Sequence, residues 1–310
     1  MRTFVGITDY DWFKTLSAIP NIDEVNFWQP SGSSRFRALS PGELFLFKLH
    51  SPRDFIVGGG FFAYSNIIPV NLAWDAFGEK NGAHSLAEMR RLIENLRPVG
   101  ASSRPDYQIG CILLEQPFFF SQSDWIPVPS DWSPNIVRGK GYDLSTEVGL
   151  RLWHEVHKRL QMTNISNPDV PSVADEISRY GEPTVIVPRL GQGTFRIMVT
   201  DAYQRRCAVT RERTLPALEA VHIKPYNDSG PHDVRNGLLL RSDIHKLFDT
   251  GYVTISSDYH FEVSRRIKEE FENGRDYYAL HGKPIQLPGS KSYWPDSNYV
   301  SWHNENIFRD

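Results

Sequence analysis

Two cysteines in 310 residues, Cys111 and Cys207, exclude a disulfide framework and a four-cysteine zinc knuckle, and such usage predicts a reducing cytoplasm. No apolar run approaches the roughly 20 residues a membrane span needs, and the opening Met1-Arg-Thr-Phe-Val-Gly6 lacks the character of a secretory signal. No membrane partner is expected. Internal repeats and low-complexity tracts are also missing, which excludes solenoids and collagen-like or disordered arrays. Net positive charge is absent too. A formal charge of −3 argues against non-specific nucleic-acid binding over the whole surface.

What is present is uneven. Aromatic residues reach 13%, and the chain is long enough for two domains with separate cores. Six arginines (189, 196, 205, 206, 211 and 213) fall within residues 189–213 against only Asp201 and Glu212. Such a segment can neutralise several phosphates or can be a solvated helix face.

Residues 1–135 alternate short aromatic and aliphatic runs (44–49, 55–57, 61–64 and 109–114) with Pro, Gly and Ser clusters, a β-rich texture. Helices are predicted near Asp11, over 85–96 with Leu86, Met89, Leu92 and Leu96 as the apolar stripe, and over 145–162 with Leu150, Trp153, Val156 and Leu160 on one face. The Asn, Pro and Ser punctuation of 163–188 predicts a linker, giving domains at 1–162 and 189–310. The second domain reads as a helix over 195–206, a strand over 218–223, a loop over 224–231, a strand over 234–240 and a helix from Ser242.

That strand–loop–strand–helix segment carries the chemistry. His222 closes the first strand, Asn236 follows fourteen residues later and His245 nine further on. A neutral imidazole at a strand end can take a proton from water, a neighbouring Asn can brace the loop that carries it, and a helical His can ligate a divalent cation in the same cleft. The segment resembles the ββα-metal hairpin of the HNH endonuclease superfamily. It is similar to the bacterial branch of predicted restriction endonucleases through Arg189-Leu-Gly-Gln-Gly-Thr-Phe-Arg196, Tyr203-Gln-Arg-Arg-Cys-Ala-Val-Thr210, Asn236-Gly-Leu-Leu-Leu-Arg241 and Tyr299-Val-Ser-Trp-His303. The resemblance spans about 120 residues. It implies His222 as general base, Asn236 as the brace and His245 as metal ligand, with Mg²⁺ the first expectation and Mn²⁺, Co²⁺ or Ni²⁺ as alternatives.

The sequence departs from that pattern twice. Many relatives place a metal-binding Asp or His directly before the base, where this chain has Val221, so Asp243 is the first candidate for a second ligand. Asp243 can equally be a first-turn carboxylate favoured by the helix dipole. Asp249, one turn beyond His245 on the same face, reads as structural before it reads as a ligand, and Glu219 sits on the incoming strand. Cys207 is followed at the knuckle spacing by Thr210, so no structural zinc is expected and Cys207 reads as a small buried apolar residue. Arg189, Arg196, Lys224 and Arg241 are candidate DNA contacts, with a salt bridge as the alternative for Arg196, Lys224 and Arg241. His232 in the loop can touch phosphate or simply face solvent.

The first domain resembles the PUA-like superfamily, including SRA and EVE domains, through Phe4-Val-Gly-Ile-Thr-Asp-Tyr-Asp-Trp12, Pro41-Gly-Glu-Leu-Phe-Leu-Phe-Lys48 and Ile56-Val-Gly-Gly-Gly-Phe-Phe62. The resemblance implies a β-barrel with flanking helices that binds modified bases flipped out of DNA. Such a base needs aromatic faces and a few polar groups for its edge, which makes Trp28, Gln29 and Trp12 the candidates. Phe61 and Phe62 read as core. Gly58, Gly59 and Gly60 are followed by no Lys-Ser/Thr, so a bulge or a close backbone approach explains them better than a phosphate cradle. The expectation is an α+β protein with a PUA-like reader and a ββα-metal nuclease acting on double-stranded DNA, where a double-strand break implies a homodimer or two nicks. The rival readings are a nuclease gated by another ligand or partner, and a DNA-binding protein whose nuclease site has decayed.

Overall fold

The computed structural model describes residues 1–97, 106–166 and 190–310, with the side chains of 162–166 left aside. The chain divides into two compact units, Met1–Gly191 and Gln192–Asp310. Arg189 and residues 167–188 of the expected linker lie outside the described residues.

In the first unit the aromatic and aliphatic runs form strands β1 (Arg2–Thr8), β2 (Glu24–Gln29), β3 (Leu44–Leu49), β4 (Phe55–Pro69), β5 (Gln108–Phe119), β6 (Ile126–Pro127) and β7 (Gly139–Asp143). They pair in the order β2-β5-β4-β3-β1-β7, with the short β6 added to β4. Only β1 and β3 run parallel among these pairs. The chain between them passes through helix α1 (Tyr10–Ser17) and β2, as a parallel crossover requires.

Strand β3 explains how this sheet is buried. All six of its residues are inaccessible, and successive side chains point to opposite faces. Leu44 and Leu46 therefore join a core with Val5, Phe61, Trp153 and Val156, whereas Phe45 and Phe47 join one with Trp12, Phe27, Phe62 and Leu114. Helix α1 covers the phenylalanine face, and helix α4 (Glu147–Ser166) covers the leucine face. Helices α2 (Val70–Phe77) and α3 (Leu86–Asn95) lie between β4 and β5 in sequence. In α3, Ser85 Oγ accepts the Glu88 N–H at 3.2 Å while Glu88 Oε2 accepts the His84 N–H at 2.9 Å, a reciprocal cap.

Four expectations are corrected. The runs 55–57 and 61–64 are one fifteen-residue strand, because the glycines between them let neighbouring backbone come close. A Cβ at Gly58 would stand 2.2 Å from the Phe118 carbonyl oxygen, and the β4–β5 register slips between Gly59 and Phe61. The expected barrel is an open mixed sheet among the described residues, with β2 and β7 at opposite ends of the strand path. Helix α4 continues to Ser166, past the expected domain end at 162, and buries Leu152 while leaving Leu150 38% exposed. Helix α3 buries Met89 and Ile93 rather than the full leucine stripe, and Leu96 is exposed.

The second unit contains α5 (Gln192–Ala202), β8 (Leu218–His222), β9 (Gly237–Arg241), α6 (Ser242–Asp249), β10 (Val253–Ile255), β11 (Phe261–Val263), α7 (Arg266–Phe271), α8 (Arg275–Tyr278) and α9 (Ser297–Asn306). One core built on Phe195, Val199, Tyr203, Leu238, Phe248 and Val300 ties α5, the β8–β9 hairpin, α6 and α9 together. Helix α5 stops at Ala202, short of the predicted 206, because Gln204 and Arg205 turn to positive φ (54° and 59°). Strand β9 starts at Gly237 rather than 234. Residues 234–236 form a single 3₁₀ turn instead, with the Asp233 side chain accepting the Arg235 N–H. Cys207 is fully buried, and its sulfur accepts the N–H groups of Thr210 and Arg241 at 3.4 Å. Among the described residues no helix is long and apolar enough to cross a membrane.

Candidate functional site

The β8–β9 hairpin and α6 bring the three sequence-predicted residues to one place. His222 is the last residue of β8 and pairs with Gly237, the first of β9. Asn236, immediately before β9, is fully buried beneath the connecting loop. Its Oδ1 accepts the Lys224 N–H at 2.9 Å, while its Nδ2 donates to the carbonyls of Lys224 at 2.9 Å and Pro231 at 3.0 Å. A single amide thereby holds both ends of the loop. His222, His245 and Asp249 line one cavity of about 300 Å³, which Tyr226 and His303 also border.

His222 sits between aromatic neighbours. The Phe195 ring stacks on it at a centroid distance of 4.0 Å and 10° between planes, and its Nε2 lies 2.8 Å from Nδ1 of His232. His232 in turn stacks on Tyr226 at 4.7 Å and 13°. Burial pushes the His222 pKa down to about 4, helped by the nearby His232 and His245 and opposed by the charge of Asp249. The ring is therefore neutral at physiological pH, the protonation state a base needs.

His245 lies in the first half of α6 and is bracketed by carboxylates. Its Nδ1 meets Glu219 Oε2 from β8, and its Nε2 lies 3.0 Å from Asp249 Oδ2, one helical turn on. Burial works against a charged ring here, but the hydrogen bonds and charges of Asp249 and Glu219 outweigh it and raise the pKa above the ordinary histidine value.

Asp243 stands elsewhere. Its two oxygens take Arg241 Nε at 2.6 Å and Nη2 at 2.7 Å, and Tyr277 Oη donates to it at 3.2 Å. The hydrogen bond from Arg241 is the main cause of its lowered pKa. Spacing along the chain suggested Asp243, but its bidentate ion pair turns it to Arg241, and the carboxylates beside His245 are those of Glu219 and Asp249. Val221, where relatives carry an acid, is 2% exposed and part of the core.

One imidazole and two carboxylates are donors of the kind a hard divalent cation takes. They fit by type. As they stand they bond to one another, and among the described residues no three His, Cys, Asp or Glu side chains converge as a ready metal cage.

The basic candidates are dispersed. Lys224 holds its ammonium 5.3 Å from the Trp302 ring centroid, beside the braced loop. Arg196 is half-buried on α5, and Arg241 is engaged by Asp243. Arg189 lies outside the described residues. His303 proves to be a packing residue at 2% exposure. It stacks on Phe248 at 3.8 Å, with Nε2 donating to the Phe248 carbonyl at 3.1 Å and Nδ1 2.8 Å from Thr254 Oγ1.

Sequence reasoning missed the contact of His232 with His222. A loop histidine has no periodicity to betray its direction, and only the closure of the loop by Asn236 aims it inward.

The first unit holds a separate cavity of about 310 Å³ whose lining includes Trp12, Trp28, Gln29, Asp9, His50 and Arg138. Residues 26–29 belong to β2, so Trp28 is a half-buried strand residue whose Nε1–H donates to the Asn81 carbonyl at 2.9 Å. Gln29 ends the strand beside it, and Ser31, Ser33 and Ser34 follow along the same wall. Trp12 is 4% exposed and edge-on to Phe27 and Phe47, so it serves the core as well as the cavity. Phe61 and Phe62 are core residues, as expected.

Residues 207–256, within the second unit, match the family model described as HNH endonuclease. No curated protein matches the chain. Among solved structures, ASCH from Zymomonas mobilis is 12% identical with a TM-score of 0.34, over 49% of this chain and 94% of that one. A structure described as the modification-dependent TagI restriction endonuclease is 12% identical with a TM-score of 0.28, over 97% of this chain and 81% of its own.

Proposed function

We propose that the second unit is a divalent-cation-dependent endonuclease for double-stranded DNA, and that the first unit directs it to DNA carrying a modified base, a restriction activity against foreign DNA. The observation that carries the first half is the grouping of a neutral His222, the bracing Asn236 and the carboxylate-flanked His245 on one hairpin and its following helix. His222 takes the proton of the attacking water. Asn236 keeps the loop closed so that the imidazole cannot drift. Lys224 and Arg196 lie on the same unit as cations for backbone phosphates.

His245 and Asp249 are the residues that would hold the cation, with Asp243 committed to Arg241. Bound there, Mg²⁺, or Mn²⁺, Co²⁺ or Ni²⁺ in its place, supplies positive charge against that building on the phosphate and the leaving oxygen. Each such unit cuts one strand, so a double-strand break takes a dimer or two successive nicks.

The second half rests on the 310 Å³ cavity, which lies in the size range of small-ligand clefts and combines two indoles with an amide, hydroxyls and charged groups. A base turned out of the duplex needs that combination, faces to stack on and partners for its edge. Incubating the full chain with plasmid DNA and each cation in turn, against a chelator control, tests the nuclease. Nicked and linear products are expected with cation and intact His245, and none from His245→Ala. Equal products with and without chelator would overturn the reading.

A further inference from the structure

We propose that His232 is a positioning residue for hydrolysis, holding the His222 ring in the one tautomer that can act as a base; this rests on the nuclease reading of His222. His222 Nε2 and His232 Nδ1 stand 2.8 Å apart, so one of them carries the hydrogen and the other the lone pair. If Nε2–H of His222 donates, the lone pair of His222 is on Nδ1 and the ring is a base. If Nδ1–H of His232 donates instead, Nε2 of His222 is an occupied acceptor and its Nδ1 carries the hydrogen. A neutral His222 then has no lone pair left to offer. Only the first arrangement serves hydrolysis, and in it His232 is the acceptor.

The surroundings suit that assignment. Both rings are fixed by stacking, His222 on Phe195 and His232 on Tyr226, so neither can swing to exchange partners without losing its aromatic neighbour. The loop that bears His232 and Tyr226 is tied at Lys224 and Pro231 by Asn236. His232 follows Pro231 directly, which places the acceptor as rigidly as the base. A base oriented by a third group through its remote nitrogen is the general pattern of histidine catalysis. Here the third group is a second imidazole. When His222 takes the proton of water on Nδ1 it becomes a cation whose Nε2–H still points at a lone pair, and the hydrogen bond strengthens as the charge forms. No proton need leave the pair for the step to balance. Water loses a proton, His222 Nδ1 gains it, and the hydroxide oxygen attacks phosphorus as the bond to the leaving oxygen breaks.

The test joins a spectroscopic and a kinetic reading on the full chain. His232→Phe keeps a ring on Tyr226 but has no acceptor, whereas His232→Asn offers a carboxamide oxygen near the position of Nδ1. With ¹⁵N-labelled histidine, the His222 signal should show protonation at Nε2 in the parent and in His232→Asn, and a mixture of tautomers in His232→Phe. Single-turnover cleavage by His232→Phe should slow by about 10- to 100-fold, part of the 10²–10⁴ a general base contributes in all, with DNA affinity unchanged. His232→Asn should recover most of that rate. Protonation of His222 on Nδ1 in the parent, or equal slowing by both variants with no change of tautomer, would overturn the proposal. A parent with the expected tautomer that cuts no DNA with any cation would support the positioning contact and sink the nuclease reading instead.

Discussion

His222 and His303 are imidazoles that burial keeps neutral, each with its pKa pushed down to about 4, and they differ in what neutrality serves. For His222 it leaves a base available well below neutral pH. The cleavage rate should show no acid limb from this residue between pH 7 and pH 5, which a pH–rate profile of the free enzyme reads directly. For His303 it serves packing, since Nε2–H is spent on the Phe248 carbonyl. The unfolded chain binds the proton first as pH falls, near the ordinary histidine value of 6.5, while the folded chain resists until about 4. This contribution to stability is present in full above pH 6.5 and declines as pH falls toward 4. His303→Gln keeps a donor but cannot titrate, so the drop in thermal midpoint between pH 7 and pH 5 should be smaller in the variant by calorimetry. The two aspartates of α6 separate as sharply. Asp249→Asn should raise the cation concentration for half-maximal cleavage by about tenfold or more. Asp243→Asn should leave it in place and lower stability through the lost Arg241 pair. Equal effects on cation demand would contradict the placement of Asp249 beside His245.

At the scale of elements, the hairpin is held by an amide rather than by metal-bound cysteines. Asn236→Ala would strip partners from the Lys224 N–H, the Lys224 carbonyl and the Pro231 carbonyl. The expected cost is about 2–4 kcal/mol, with faster hydrogen exchange concentrated in 224–231, because buried polar groups without partners lose their full desolvation free energy. Much of this element was legible before the structure. A histidine, an asparagine and a histidine at fixed spacing on a strand–loop–strand–helix pattern leave few other folds, and both histidines fell where spacing put them. Direction was not legible. Spacing could not tell that Asp243 turns back to Arg241, nor that His232 turns inward, because both depend on contacts two to ten residues away in sequence and on loop closure. The first unit shows the same limit in another form. Strand texture was readable in the leucine and phenylalanine alternation of β3, and so was the close backbone approach at Gly58 to Gly60. What was not readable is that these glycines join the runs 55–57 and 61–64 into one strand, β4.

For the whole molecule, the proposed division of labour is between a site that cuts and a cavity that selects. The proposed hairpin site would cut any duplex that reached it, so selectivity is proposed to lie with the Trp28 and Gln29 wall of the first-unit cavity. Full-length His222→Ala should bind duplexes containing methylated or hydroxymethylated bases more tightly than unmodified ones, and Gln29→Ala in that background should reduce the preference, as read by equilibrium binding at fixed salt. The measurement that bears most directly on the whole account is digestion of three DNAs of identical sequence, unmodified, methylated and hydroxymethylated, by parent and His222→Ala chains with Mg²⁺. Breaks are expected in at least one modified DNA, fewer in the unmodified DNA, and none with His222→Ala. Breaks that persist in His222→Ala, or no breaks in any of the three, would contradict it.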